Sequence, residues 1–440
     1  MIISIISSII VYGCAALLII RLLSQSGIIF KNKYALAAAK DLRISNPVDK
    51  FEKYELLKVF IIAFAFRMFM YLMQAMALYW FLDFPNIGQL NEFSGTFAKM
   101  LRQFEMWDGT NYFRIADGGY GSHIENGRYT MLAFFPLQSW TARVLSLIFR
   151  NIRVSLLMTS TLAYCGGITV LYKLTALDYS RETAKKAAVY ISLFPFSFFF
   201  GSMMAESMLF FTTVLALYFI RQHKWLFAGI AGAFAAMSRI VGIFVIFAAI
   251  IEFIEYYKLF EMIKEKKIKE AFLIIVKNGL WLLIMLAGIA VYLLLNWYYT
   301  KDAFIFLEYQ HSVWGHESCY FGQGIANVIN SVFNSDNVTY KISIFIPFTA
   351  ILIGSAALII YGIRRNRTMY TAFALIYMVV ITSVTYVPSG TRYTICAVPL
   401  FMLLADFSER HKGADTVITT VFALMQGMYF IAYLKSMAIF

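Results

Sequence analysis

Residues Phe104 to Gly121 read FEMWDGTNYFRIADGGYG. They lie in one of two long polar-rich interruptions of a chain that otherwise passes from one hydrophobic run to the next, and they gather carboxylates, aromatics and glycines. Asp108 is the first candidate for a catalytic residue. The surrounding 440 residues are 60% hydrophobic and only 14% charged, with a mean hydropathy of +0.69. That composition excludes an ordinary soluble globular chain and implies an all-α polytopic membrane protein. A spanning helix needs ~20 apolar residues. About twelve candidates occur, at 2–24, 56–82, 131–149, 153–175, 185–200, 203–220, 225–254, 271–299, 343–361, 369–387, 392–407 and 416–437.

The net charge of +13 raises nucleic acid as a partner, and its distribution rejects it. If every segment crosses once, the loops 25–55, 150–153, 257–270, 361–368 and 408–415 share one side and hold 18 Lys and Arg in 65 residues. Loops 83–130 and 300–342 on the other side hold 6 in 91. This asymmetry predicts that the two long loops and the N-terminus face away from the cytoplasm. Two short connections, 176–186 and 221–224, break the pattern. The four cysteines are scattered and imply no disulfide or zinc framework. Residues 2–24 read as an uncleaved anchor helix, and 25–55 as a solvated linker beside anionic headgroups.

In the first long loop, Phe93, Phe97, Met100, Leu101 and Phe104 share one helical face, with Lys99, Arg102, Gln103 and Glu105 on the other. This predicts an amphipathic helix at the membrane surface, delivering Trp107 and Asp108 at headgroup depth. A short helix follows from Gly109 to Asp117, stopped by Gly118 and Gly119, with Asp108 in the N-cap position. An aspartate there serves as a structural cap or a catalyst, and the two roles are compatible.

Charges inside the apolar runs need partners. Arg67 calls for an interhelical ion pair or a lipid phosphate. Glu206, by single crossings, falls toward the cytoplasmic side, far from Asp108. Either the helices around Pro195 and Gly201 are broken and bring it inward, or it pairs with Arg67 or Arg239; the pair is the preferred reading. Arg239 has a donor phosphate and a structural ion pair as alternatives. Arg392 and Tyr393, in PSGTRY, sit at the outer mouth of a helix. His311, His316, Glu317 and Cys319 match no standard metal-ligand spacing.

The spacing WDxxxYxxIAxxGY, made by Trp107, Asp108, Tyr112, Ile115, Ala116, Gly119 and Tyr120, resembles the signature of the PIG-V family of GPI mannosyltransferases and its bacterial relatives, membrane glycosyltransferases of the GT-C class. FFPL from Phe134, the segment around Glu206 with Met208 in place of an apolar residue, the Ser238-Arg239…Gly242 spacing, and Gln310 with Trp314 also resemble it. The likeness covers roughly 56–320, and the leading helix departs from it. It implies a GT-C bundle and transfer of a sugar, mannose above all, from a polyprenyl-phosphate carrier to a hydroxyl of a glycan, glycolipid or protein. Asp108 would be the catalytic base. Trp107, Tyr112, Arg239, Gln310, Trp314 and Arg392 would bind substrate, with Arg67 and Glu206 in support.

The chemistry suits these residue types. A sugar hydroxyl is a poor nucleophile and needs a carboxylate base; a lipid phosphate leaves as a stable anion and needs Arg more than an acid. No second acid forms a DxD pattern with Asp108, so neither a metal nor another cofactor is expected. One base without a covalent nucleophile implies inversion. The site would lie on the outer face of the cell membrane, or in the endoplasmic reticulum membrane of a eukaryote. The competing readings are a multi-pass transporter or lipid flippase of envelope glycans, opposed by the lack of an internal repeat and by two long loops of unlike composition, and a structural partner in an envelope-assembly complex.

Overall fold

The computed structural model describes residues 1–25, 51–81, 101, 104–315, 317–435 and 437–439. The chain is an all-α polytopic membrane protein. Among the described residues no strand forms beyond two isolated bridges, as expected where lipid leaves the backbone no partner but itself.

Seven helical stretches among the described residues are long and apolar enough to cross a membrane. They are α1 (Ile2–Gln25), α2 (Glu55–Phe81), α5 (Ile152–Asp178), α9 (Val245–Tyr257) with the 3-10 turn before it, α11 (Ile268–Asn278) continued by α12 (Met285–Thr300), α15 (Ile346–Arg365) and α19 (Ala414–Leu434). Shorter helices lie between these: α3 (Asp108–Gly118), α4 (Leu137–Phe149), α6 (Arg181–Leu193), α7 (Glu206–Arg221), α8 (Trp225–Ser238), α10 (Leu259–Lys264), α13 (Ile305–Ser312), α14 (Phe321–Asn334), α16 (Thr368–Ile381), α17 (Gly390–Thr394) and α18 (Val398–Arg410).

Ion pairs gather at two opposite ends of the bundle. At one end Arg221 forks onto Asp178 at 2.8–3.0 Å, Tyr370 donates to the same carboxylate, and Arg367 and His223 meet on Glu252. At the other end lie Asp108, Glu206, Arg239 and Arg392, with the two long loops. Helix α5 joins the ends, since Arg153 at its start pairs with Glu105 of the first loop and Asp178 closes it. The N-terminus lies at the site end, where Tyr320 donates to Ser8.

Two expected crossings are corrected. The stretch 131–149 does not cross, because α4 begins and ends beside the first half of α5. Its first turn sits partway down α5, with Gln138 donating to Ser160, and its last residue turns through Arg150 straight into α5. Both ends of the segment therefore return to the site end, and Arg150 and Arg153 leave the basic side. The stretch 225–254 is two passes. Arg239 is extended, Gly242 donates back to its carbonyl at 2.9 Å, and the chain reverses. Gly242 lies against the Ala235 carbonyl where any Cβ would collide.

One crossing is lost and one is gained between α4 and α9. This moves 176–186 and 221–224, with Arg181, Lys185, Lys186, Arg221 and Lys224, to the end away from the site. They join the basic linkers there, and the two exceptions to the charge pattern disappear. Cysteine probes check this in a Cys319→Ser background. A probe at Asn151 is expected to be labelled from the same side as one at Ser122, and a probe at Lys224 from the side of Lys266. Labelling of Asn151 with Lys266 would restore the single-crossing topology.

Of the amphipathic surface helix, residues 82–100, 102 and 103 lie outside the described residues, as does the linker 26–50. Leu101 and Phe104, which are described, are buried in the core.

Candidate active site

Asp108 opens α3, and the residue before it pays for the turn: Trp107 has φ +55° and ψ −129°, an uncommon conformation for a bulky side chain. Trp107, not Asp108, occupies the cap position and makes no side-chain cap bond, so the expected N-cap role shifts by one residue. Gly109 is required because a Cβ there would lie 2.7 Å from the Phe104 carbonyl.

The other signature residues hold α3 down. Tyr112, Ile115 and Ala116 are buried, and Tyr120 donates to the Phe134 carbonyl at 2.7 Å. Tyr112 meets the Phe134 ring edge-on, and its carbonyl accepts from Ser139. The FFPL segment is thus a floor for the loop.

The Asp108 carboxylate, one quarter exposed, accepts from Arg392 Nη2 at 2.6 Å. Arg392 is buried; its Nε lies 3.2 Å from Glu206 Oε1, and its guanidinium stands over the rings of Phe199 and Tyr393. The same Glu206 oxygen accepts from Arg239 Nη1 at 2.7 Å. The result is a chain of alternating charge, Asp108, Arg392, Glu206, Arg239, with Tyr393 against both guanidiniums, at 4.4 Å from Arg239 and 5.2 Å from Arg392. Two acids balance two bases in a low-dielectric setting, where an unpaired charge is costly.

Both alternatives for Glu206 hold together. Pro195 and Phe196 end the α6 pass, a 3-10 turn at Ser197–Gly201 breaks the helix, and Glu206 starts α7 at the site end. It pairs with Arg239, as preferred, and not with Arg67. Arg67 stands over the Tyr164 ring and donates to the Ser197 carbonyl at 3.4 Å. Gln310 and Trp314 lie one layer out. Gln310 donates to the Ala133 carbonyl at 3.2 Å, and Trp314 meets Phe134 edge-on, docking the second loop on the floor of the first.

Tyr112 links the layers, since its buried phenol lies in the field of Arg239, Glu206, Asp108 and Arg392. Two residues escaped sequence reasoning. Tyr393, given no role by the sequence beyond its place at the outer mouth of a helix, is the aromatic plate of both arginines; its place beside Arg392 was the available signal. Tyr433, near the end of α19, is buried in the field of Arg392, Glu206 and Asp108 with its hydroxyl unpaired, and nothing in the sequence marks it. Among the described residues no three His, Cys, Asp or Glu side chains gather as a metal site needs; His316 lies outside them.

No protein-family model matches the chain, and no curated protein matches it in sequence. In structure it is similar to the oligosaccharyltransferase of Archaeoglobus fulgidus in its apo form, at 14% identity and a TM-score of 0.43 over 89% of this chain and 56% of that one. The same enzyme tethered to an acceptor peptide with the NVT sequon, and in complex with an inhibitory peptide and a dolichol-phosphate, matches at 14% identity, the same coverage and a TM-score of 0.42. The chain spans just over half the length of these chains.

Proposed function

We propose that the chain is a GT-C class glycosyltransferase that moves a sugar, mannose by the family resemblance, from a polyprenyl-phosphate carrier to a hydroxyl of a glycan, glycolipid or protein. The observation that carries the reading is the Asp108 carboxylate, partly open at the end of the bundle that holds both long loops and clamped by a buried arginine. The charge asymmetry supports an orientation with that end away from the cytoplasm.

In the proposed step the acceptor oxygen bonds to the anomeric carbon as the bond from that carbon to the phosphate oxygen breaks. The acceptor proton passes to Asp108, the phosphate leaves as an anion, and the configuration inverts. Arg392 fixes the direction of the carboxylate. Arg239, whose side chain is one fifth exposed, holds Glu206 behind Arg392, and the leaving phosphate calls for an arginine to meet it.

Membrane vesicles supplied with radiolabelled polyprenyl-phosphate sugars test this. Label is expected in a product that has lost the carrier lipid, with mannose the preferred sugar. A carrier that crosses the bilayer with its sugar still attached would make the chain a flippase instead.

A further inference from the structure

Three arginines are buried among the described residues, and two of them are neutralised: Arg221 by Asp178, and Arg392 by Asp108 and Glu206. The third, Arg67, is 1% exposed and has no carboxylate within ion-pair distance among the described residues. Among the described residues its Nε has no hydrogen-bond partner, its contact to the Ser197 carbonyl is long, and its other neighbour is the neutral Tyr164. Seven residues on along the same face of α2, Gln74 is fully buried with both amide atoms unpaired. Tyr71 stands between them, bonded to Thr161 and to the Gly201 carbonyl. Its ring meets Phe104 edge-on, and Phe104 leads through two residues to Trp107 and Asp108.

An unbalanced cation and an unsatisfied amide on one face of an otherwise apolar helix are each costly. Both present N–H donors, and their shared lack is an anionic acceptor. We infer that Arg67 and Gln74 form a seat for a phosphate group beneath the first loop, reached past the Phe104 ring, and that this seat holds the carrier phosphate of the donor. The inference rests on the glycosyltransferase reading and assigns the tight phosphate contact to the buried arginine that no acid claims among the described residues. Arg239 and Arg392 are already engaged with Glu206 and Asp108.

The test is binding, so that it is separate from transfer. Purified protein in nanodiscs of zwitterionic lipid is titrated with a polyprenyl phosphate that carries no sugar, and with inorganic phosphate as competitor. Arg67→Lys keeps the charge and loses the fork; it is expected to weaken binding about tenfold or more, and Gln74→Leu about three- to tenfold. Gln74→Leu should also hold or raise Tm, because it removes an unsatisfied buried amide, which shows that weaker binding is not misfolding. Competition by inorganic phosphate with the same dependence on both residues assigns the seat to phosphate alone; no competition, with the dependence kept, assigns it to lipid-borne phosphate. Variants that bind the carrier as tightly as the wild type while the wild type still transfers sugar overturn this seat only. A wild type that neither binds the carrier nor transfers sugar overturns the glycosyltransferase reading and this seat together.

Discussion

Asp108→Asn is expected to lower sugar transfer by about 100- to 10,000-fold, the contribution of a general base, while the protein remains folded. Asn is isosteric, and its amide oxygen still accepts from Arg392 Nη2 in the place of the carboxylate oxygen now 2.6 Å away. Arg392 also keeps Glu206. What Asn lacks is the capacity to take a proton. Asp108→Ala removes the acceptor as well and should lower both rate and Tm. Because Trp107 holds the cap position, that loss of stability reports the missing partner of Arg392 and not a lost helix cap. Transfer rate and thermal midpoint for both variants separate the roles. An Asn variant that turns over normally would remove Asp108 from the chemistry and leave it as the counter-ion of Arg392.

Glu206→Ala is expected to be the most destabilising change at the site, costing about 3–5 kcal/mol, the usual loss when one member of a buried pair is removed. Glu206 is 1% exposed and serves two arginines, so its loss leaves Arg239 and Arg392 sharing Asp108 alone. Arg239→Ala should cost less, since Glu206 retains Arg392. The double variant leaves one acid and one base, Asp108 and Arg392, and is expected to be more stable than Glu206→Ala alone. Such non-additivity is the mark of residues in contact. It is measured as Tm in detergent for the two singles and the double; additive losses would show that the charges are not coupled.

The sequence reading and the structure part company where direction, not composition, matters. Hydropathy locates apolar runs and is blind to a reversal inside one. Residues 225–254 stay apolar and rich in small side chains on both sides of Arg239, so the turn leaves no polar gap. The trace it did leave was electrostatic, since Arg221 and Lys224 were on the wrong side of a single-crossing scheme. The run 131–149 is as apolar as a span, and only Pro136 and the contacts of Leu132 to Gln138 with α5 and α12 expose it as an excursion. Pairing was legible where a carboxylate and an arginine both stood in apolar runs, as Glu206 and Arg239 did. It was not legible for Asp108 and Arg392, which are 284 residues apart and joined by no periodicity. The signature around Asp108 marked the loop, and four of its seven positions, Tyr112, Ile115, Ala116 and Tyr120, are buried beneath it.

The excursion at 130–149 bears on how the protein is made. Its 3-10 turn, Thr130–Ala133, carries backbone groups that helix geometry leaves unpaired. The Leu132 carbonyl is satisfied by the hydroxyl of Tyr292, 160 residues later in the chain, and the Phe135 ring stacks on the same tyrosine at 3.8 Å. Until the ribosome has passed Tyr292 the Leu132 carbonyl in the floor beneath Asp108 lacks this donor. The floor of the first loop, though synthesised early, therefore gains this contact only once α12 has entered the bilayer.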